Sequence, residues 1–446
     1  MLKEMENPTV KRFQEYAKLP SDSVSLTKLD AKWVRDVCLE AGADDVGFIE
    51  MYRKEIADQR EDIHNAFPRT KTIICLVHRI NSDSVRTPAR HMANIEFKYV
   101  SHHLVEVTRK IRASLEQVGV RAISETGNFP MEMDAWPGKL WTVSLKPVAI
   151  AAGLGRMGLN RMVLHPRFGV FINLSALLID REISSYDRPL DYDPCLNCKL
   201  CATSCPTGAI ASDGCFSFSS CVTHNYREKL GGFSDWVEQV AQSKDAGDYR
   251  KRVSDSETVS MWQSLSYGAN SKCDYCMAVC PAGKEMDGFY KENKKGFVKE
   301  IVRPLQKKEE KVYVVPDSDA EAHVAQRFPH KKIRRVRNGL RPPSIEAFLR
   351  TLPLVFQRQK SKDLNATYHF TFKGDEIIDA TVVIENRTIT VKTGLIGKPD
   401  IHVTADSRTW IEFLAKEKNI VWALIRRKIR IKGPLSLLSK FGKCFP

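Results

Sequence analysis

Residues 195–206 read CLNCKLCATSCP. Cys195, Cys198, Cys201 and Cys205 fall at C-x2-C-x2-C-x3-C, and Pro206 follows. This is the bacterial ferredoxin spacing, in which three cysteines hold one [4Fe–4S] cluster and the fourth reaches across to another. A two-cluster site needs a second set, and KCDYCMAVCP supplies Cys273, Cys276, Cys280 and Pro281. One more thiolate is required, and Cys215 and Cys221 are the candidates between the runs. Two structural zinc ions are the alternative use of eight thiolates. The two C-x3-C-P endings favour clusters. Nine of the twelve cysteines lie between Cys195 and Cys280, which makes them metal ligands rather than a disulfide framework. Cys38, Cys75 and Cys444 have no partner pattern and read as small buried residues.

The rest of the chain bounds what such clusters serve. A length of 446 residues suggests two to four domains, and 43% hydrophobic content suits globular cores. No apolar run approaches the ~18 residues of a membrane span. KTIICLV and FINLSALLI read as buried strands. With no export signal visible at the start, the expected setting is cytoplasmic. Upstream of the cysteines, AAGLGRMGLN places Gly153, Gly155 and Gly158 beside small residues. Glycines let a backbone approach a flat or anionic ligand closely. The G-x-G-x-x-G spacing is also that of a dinucleotide loop, with Asp180 near the distance of its acidic partner. A tight turn between packed elements is the plainer alternative.

Taken together these motifs resemble the epoxyqueuosine reductases and their relatives, the reductive dehalogenases. The resemblance rests on CPTGAI, on the cysteine of SSCVTHNY twelve residues after Ala209, on CDYCMAVCP, and on AGLG-x-x-G-x-N followed by a hydrophobic strand ending in Asp180. It covers about residues 25–290 and is specific at the cysteines and the glycine loop. It implies an α/β (α+β) corrinoid-binding reductase core at 1–190 and a two-cluster ferredoxin-like segment at 191–290. By the same resemblance Cys195, Cys198, Cys201 and Cys280 hold one cluster. Cys205, Cys221, Cys273 and Cys276 hold the other, and Cys215 is spare. Ala152, Gly153, Leu154, Gly155, Met157, Gly158 and Asn160 would form the loop against base-off cobalamin.

The pattern departs from the family at one place. Epoxyqueuosine reductases carry an aspartate about a dozen residues before AGLG, where this chain has Lys139 to Ser144; the nearest aspartate is Asp134. Reductive dehalogenases place a tyrosine and a basic residue near cobalt, for which Tyr99 and Lys139 or Lys146 are the candidates. Trp136 and Trp141 are candidate walls for a flat apolar pocket.

The remaining third has another character. Residues 291–343 read as a basic linker region, and PHKKIRRVRNGLRPP concentrates much of the formal charge of +15. Nucleic acid or anionic lipid is the sharper reading of that stretch; a solvated face or a dock for an acidic redox partner is favoured. Residues 344–446 resemble the sterol-carrier-protein-2 family. SIEAFLRTLPLVF reads as a helix capped by Ser344, and ATYHFTFKG alternates with Tyr368, Phe370 and Phe372 on one face. DATVVIENRTITVKTG reads as a hairpin turning at 385–387. Trp410, Phe413 and Trp422 are expected to pack over the three aromatic residues, and the resemblance implies an apolar tunnel.

The favoured function is a corrinoid-dependent iron–sulfur reductase. It would take electrons from a low-potential ferredoxin or flavodoxin type donor and remove halide or oxygen from a small organic, lipophilic substrate. The alternatives are an electron-transfer protein that serves another protein's cofactor, and a lipid- or RNA-binding protein with redox-sensing clusters.

Overall fold

The computed structural model describes residues 28–127, 131–134, 136–138, 140–195, 197–415 and 417–446. Lys139 therefore lies outside the described residues.

The first unit is built on an antiparallel sheet of β1 (Asp45–Glu50), β2 (Thr72–Arg79), β3 (Ala122–Glu125) and β6 (Ile172–Ile179), in the order β1-β2-β6-β3. Between β3 and β6 in sequence, β4 (Arg156–Met157) and β5 (Val163–Leu164) form a separate hairpin. Alternate residues of a strand face opposite sides, and here both sides are covered. Val46, Phe48, Ile74, Leu76, Leu177 and Ile179 pack on the helices Ala31–Glu40 and Arg90–Gln117, through Val34, Cys38, Val107, Ile111 and Leu115. Ile49, Ile73, Cys75, Val77, Ala176 and Leu178 pack on the helix Leu145–Ala151 through Val148, Ala149 and Ala151. This two-sided burial is why KTIICLV and FINLSALLI run apolar without alternation, each large side chain contributing about 1.5–3 kcal/mol.

The cysteine segment is a set of short helices with long turns. Leu200–Ser204, Phe218–Asn225 and Tyr275–Ala278 carry or flank the ligand candidates. Between Cys221 and Cys273 the chain makes three further helices, Leu230–Ala241, Ala246–Arg252 and Asp255–Tyr267. The last is opened by a capping box of Ser254 and Glu257.

Within the span read as a linker, β7 (Lys311–Val314), the helix Asp319–Arg327 and β8 (Lys332–Arg335) form a parallel β-α-β unit. The basic stretch is thereby tied down. Lys331 pairs with Glu310 at 2.6 Å, Arg334 with Glu257 at 3.2 Å, Arg335 with Glu321 at 2.6 Å and Arg337 with Glu238 at 2.7 Å; Arg341 also pairs with Glu238. These cations face carboxylates of the chain itself, so an anionic partner would have to compete for them.

The C-terminal domain has the sheet order β11-β10-β9-β12-β13, with β9 (Ala366–Lys373), β10 (Ile378–Glu385), β11 (Thr388–Thr393), β12 (Ile401–Asp406) and β13 (Ile429–Lys432). The helix Ile345–Val355 is capped by Ser344, and the helix Ser407–Leu414 by Asp406. The β10–β11 hairpin turns through Asn386 and Arg387, both at positive φ (49° and 59°), as a tight two-residue turn requires. Tyr368, Phe370 and Phe372 do share one buried face. The space over them is filled by rings: Phe348, Trp410 and Phe441 all pack against that row. Phe413 reaches only Trp410 among these rings. Trp422 does not join them; it is 42% exposed and stacks under Arg426 at 4.1 Å. Among the described residues no helix is long and apolar enough to cross a membrane.

Candidate iron–sulfur and cofactor site

The cysteine runs fold into turns that ordinary residues resist. Asn197, Lys199 and Asp274 all sit at positive φ (51°, 51° and 53°). Such backbone costs on the order of 1–3 kcal/mol and persists where the surroundings demand it. Asn225 holds the second turn. Its Oδ1 accepts from the backbone N–H of Cys273 at 2.9 Å and of Asp274 at 3.2 Å, while its Nδ2 donates to Asp274 Oδ1 at 2.9 Å.

The thiols divide by proximity. Burial comes first in raising Cys280 to about 12, and the nearby thiols of Cys198, Cys201 and Cys195 add to it. Cys201 is likewise pushed to about 12 by burial, then by Cys198 and Cys195. Cys221, Cys273 and Cys276 are raised well above the usual thiol value by burial. Cys205 adds to all three, Cys221 and Cys273 adjoin, and Cys276 adjoins both of them. Cys276 also feels Cys201, so the two groups abut. Cys215 stands apart, beside Asp213 and Arg358. Crowded, partly desolvated thiols resist ionising together unless cationic metal lies among them. Four unpartnered buried groups border them: Ser204 Oγ, Thr223 Oγ1, Asp274 Oδ2 and two nitrogens of the Arg86 side chain. Among the described residues no three such ligands are close enough for one metal ion; a cubane's thiolates stand further apart because its irons and sulfides lie between them. The donor set fits iron–sulfur clusters.

The glycine loop adjoins both groups. Leu159 N–H donates to Cys195 Sγ at 3.3 Å, and Asn160 Nδ2 donates to the Cys276 carbonyl at 3.3 Å. Its glycines answer to the chain itself. A β-carbon on Gly153 (φ +71°) would lie 2.5 Å from the Arg188 carbonyl oxygen, and one on Gly155 2.5 Å from that of Leu164. At Gly158 it would meet the Leu164 side chain at 2.7 Å. Ala152, Leu154 and Asn160 are buried, and Met157 is the apolar member left exposed. The loop is a tightly folded hairpin lead whose open edge is Arg156 and Met157.

The described catalytic candidates lie on separate elements. Tyr99 is 68% exposed on the Arg90–Gln117 helix, and Asp134 is exposed in the segment after β3. Lys146 donates to the Arg161 carbonyl at 2.8 Å, close to the Cys276 and Cys221 thiols rather than to Tyr99. A cavity of about 240 Å³ is lined by Glu125, Gly127, Met131, Glu132, Leu140, Trp141 and Thr142. Trp141 is among its lining residues, its Nε1 donating to Ser144 Oγ at 2.7 Å, and Trp136 is not. Asn225, Arg86 and Glu125 carried no pattern in the sequence that marked them.

Residues 189–211 match the model of the 4Fe-4S binding domain, and residues 349–446 that of the SCP-2 sterol transfer family. An epoxyqueuosine reductase of Lactococcus garvieae is 27% identical over 191 residues, 42% of this chain and 43% of the relative. One of Cyclobacterium marinum is 40% identical over 133 residues, 30% of this chain and 34% of the relative. Part of the chain is thus similar to epoxyqueuosine reductases, and residues 349–446 are similar to the SCP-2 sterol transfer family. The chain spans less than half the length of either curated relative. A solved catabolic reductive dehalogenase is 17% identical, over 69% of this chain and 37% of its own, at a TM-score of 0.38.

Proposed function

We propose that the chain is a corrinoid-dependent iron–sulfur reductase. Electrons from a low-potential donor would pass through two [4Fe–4S] clusters to a bound corrinoid, and an organic substrate would lose a halide or oxygen leaving group. The observation that carries this reading is the division of the eight thiols. It supports one cluster on Cys195, Cys198, Cys201 and Cys280 and another on Cys205, Cys221, Cys273 and Cys276. Their abutment at Cys201 and Cys276 supports transfer between the two. Low-potential clusters also suit a reducing, cytoplasmic setting.

When bound, the corrinoid supplies a strongly reducing, nucleophilic metal centre. The chain's own part is narrower. The loop 152–160 would hold the corrin edge at Met157, with the Leu159 N–H joining that loop to the first thiolate group. The cavity between β3 and the Leu145–Ala151 helix is the substrate candidate. Its lining includes the Trp141 ring and the side chains of Glu125 and Glu132, the candidate acids for the leaving group. Asp134, two residues beyond Glu132, is the further acid candidate.

The test is anaerobic reconstitution of the full chain with iron, sulfide and cobalamin, followed by metal analysis. About eight irons and one cobalt per chain are expected. Eight irons without cobalt would replace this reading with that of an electron-transfer protein. Protein that takes up neither iron nor cobalt would end both.

A further inference from the structure

The short helix Ser82–Arg86 leaves the end of β2 and is capped by Asn81. Its last residue turns inward. The Arg86 guanidinium lies over the rings of Phe171 at 5.1 Å and Phe297 at 5.5 Å. Both rings share one core with Cys280, against which Cys195 also packs. The helix Tyr275–Ala278, which leads into Cys280, packs on the helix that ends in Arg86. Yet Nε and Nη2 of Arg86 are buried with no hydrogen-bond partner among the described residues. A buried cation whose N–H groups point at nothing is costly, and native structures rarely keep one without a reason.

The neighbouring chemistry supplies the reason. Four thiolates around a cubane leave a net negative charge in either oxidation state, and a larger one after reduction. Burial draws the pKa of Arg86 down, and Asp83 and the nearby Cys280 oppose it. An arginine starts high enough to stay charged throughout. We infer that Arg86 is the charge partner of the cluster on Cys195, Cys198, Cys201 and Cys280. Its guanidinium lies within electrostatic reach of the Cys280 thiolate, and its charge favours the reduced state of that cluster over that of its neighbour. The inference rests on the two-cluster reading. It makes Arg86 a positioning residue of the electron path, not a group that touches substrate.

The experiment is a potentiometric titration of the anaerobically reconstituted full chain, followed by EPR. Cys198→Ser identifies the signal of the first cluster by its loss. In Arg86→Gln the first cluster should become harder to reduce by at least tenfold in its equilibrium, 59 mV for one electron. The second cluster should not move, and Arg86→Lys should recover most of the shift. If the glutamine variant does not assemble, Arg86→Met, which suits the gap between two rings, is titrated instead. Should both neutral variants lose the first cluster while the lysine variant keeps it, the requirement for charge stands. Full iron with both potentials unchanged, or both shifted alike, overturns the inference while leaving the cluster reading intact. So does loss of the cluster in the lysine variant as well. An unmodified protein with no low-potential signal sinks the cluster reading, and this inference with it.

Discussion

Gly169→Ala tests whether the reductase core and the first cluster site are one structure. Gly169 closes a turn in which His165 and Gly169 exchange two backbone hydrogen bonds, both 2.8 Å. Its φ is +60°, and a β-carbon there would stand 1.8 Å from the Ala282 carbonyl oxygen. Ala282 follows Cys280 by two residues. The two segments are zipped together by Lys284 N–H to Pro166 O at 3.0 Å and Glu285 N–H to Arg167 O at 3.1 Å. To reach even 3.0 Å, residues 280–283 must retreat by about 1.2 Å. The left-handed backbone costs alanine about 1–2 kcal/mol. Stretching the two zipping hydrogen bonds adds about 0.5–1.5 kcal/mol each. The total is roughly 2–5 kcal/mol, delivered beside a cluster ligand. Gly119→Ala is the matched control: its φ is +75° and nothing lies within 4 Å of the new carbon, so only the backbone cost applies. Iron per chain and chemical unfolding are measured for both after anaerobic reconstitution. Gly169→Ala should hold about half the iron of the parent, and Gly119→Ala all of it. If Gly169→Ala keeps full iron and unfolds like Gly119→Ala, the close approach does not position Cys280 and the reasoning fails.

Cys205→Ser should remove the cluster shared with Cys221, Cys273 and Cys276 and leave the other, so adding Cys198→Ser should take away the remaining iron; residual iron in the double variant would count against the division of ligands. His78 is buried against Ser175 at 2.7 Å, and its pKa falls to about 3, first through burial and then through His103. The unfolded chain therefore takes up a proton near pH 6.5 that the folded one refuses, so stability should fall as pH drops, by about 2 kcal/mol between pH 6.5 and 5; His78→Gln should flatten that slope in urea titrations, and equal slopes would refute the assignment. Phe370→Ala removes a ring in contact with Phe348, Phe372, Trp410 and Phe441, and the C-terminal domain should lose about 3–5 kcal/mol. A near-neutral result in denaturant titration would mean that the rings are not its core.

What could be read from the sequence follows how local each feature is. Ligand spacing in a cluster loop is set within a few residues, so the two cysteine runs were legible. The strands around Cys75 and Ala176 were legible because burial on both faces leaves an unbroken apolar run. The basic stretch misled for the opposite reason. Its partners Glu238, Glu257, Glu310 and Glu321 come from other elements, and a count of charges carries no sign of them. The same cations hid a strand, since Lys332–Arg335 has only one apolar side chain and owes its place to pairing with Lys311–Val314. Gly153, Gly155 and Gly158 were read as points of close backbone approach to a ligand or as a tight turn. The crowding at Gly153 and Gly155 comes from the carbonyls of Arg188 and Leu164, which no local pattern announces. Tyr99 and Asp134 were chosen from motifs of relatives, and the fold leaves both exposed.

The C-terminal domain alters how the cluster segment has to be regarded. Its first helix, Ile345–Val355, packs on the helix Phe218–Asn225 that carries Cys221. Just beyond it Arg358 pairs with Asp213 at 2.6 Å. Gln357 accepts from the Asp319 N–H at 2.8 Å, and Asp319 accepts from the Gln359 N–H at 2.7 Å. These contacts run from one domain to the cysteine loop and to the β-α-β unit, so ordering one stabilises the arrangement of the others. An exposed ion pair contributes little alone, about 0–1 kcal/mol. The packing of the two helices against each other adds to that coupling. The domain whose interior is filled by its own aromatic rings thus lends its outer helix to cover the side of the second cysteine group. Opening that helix would leave the Phe218–Asn225 helix, and Cys221 with it, with one face uncovered.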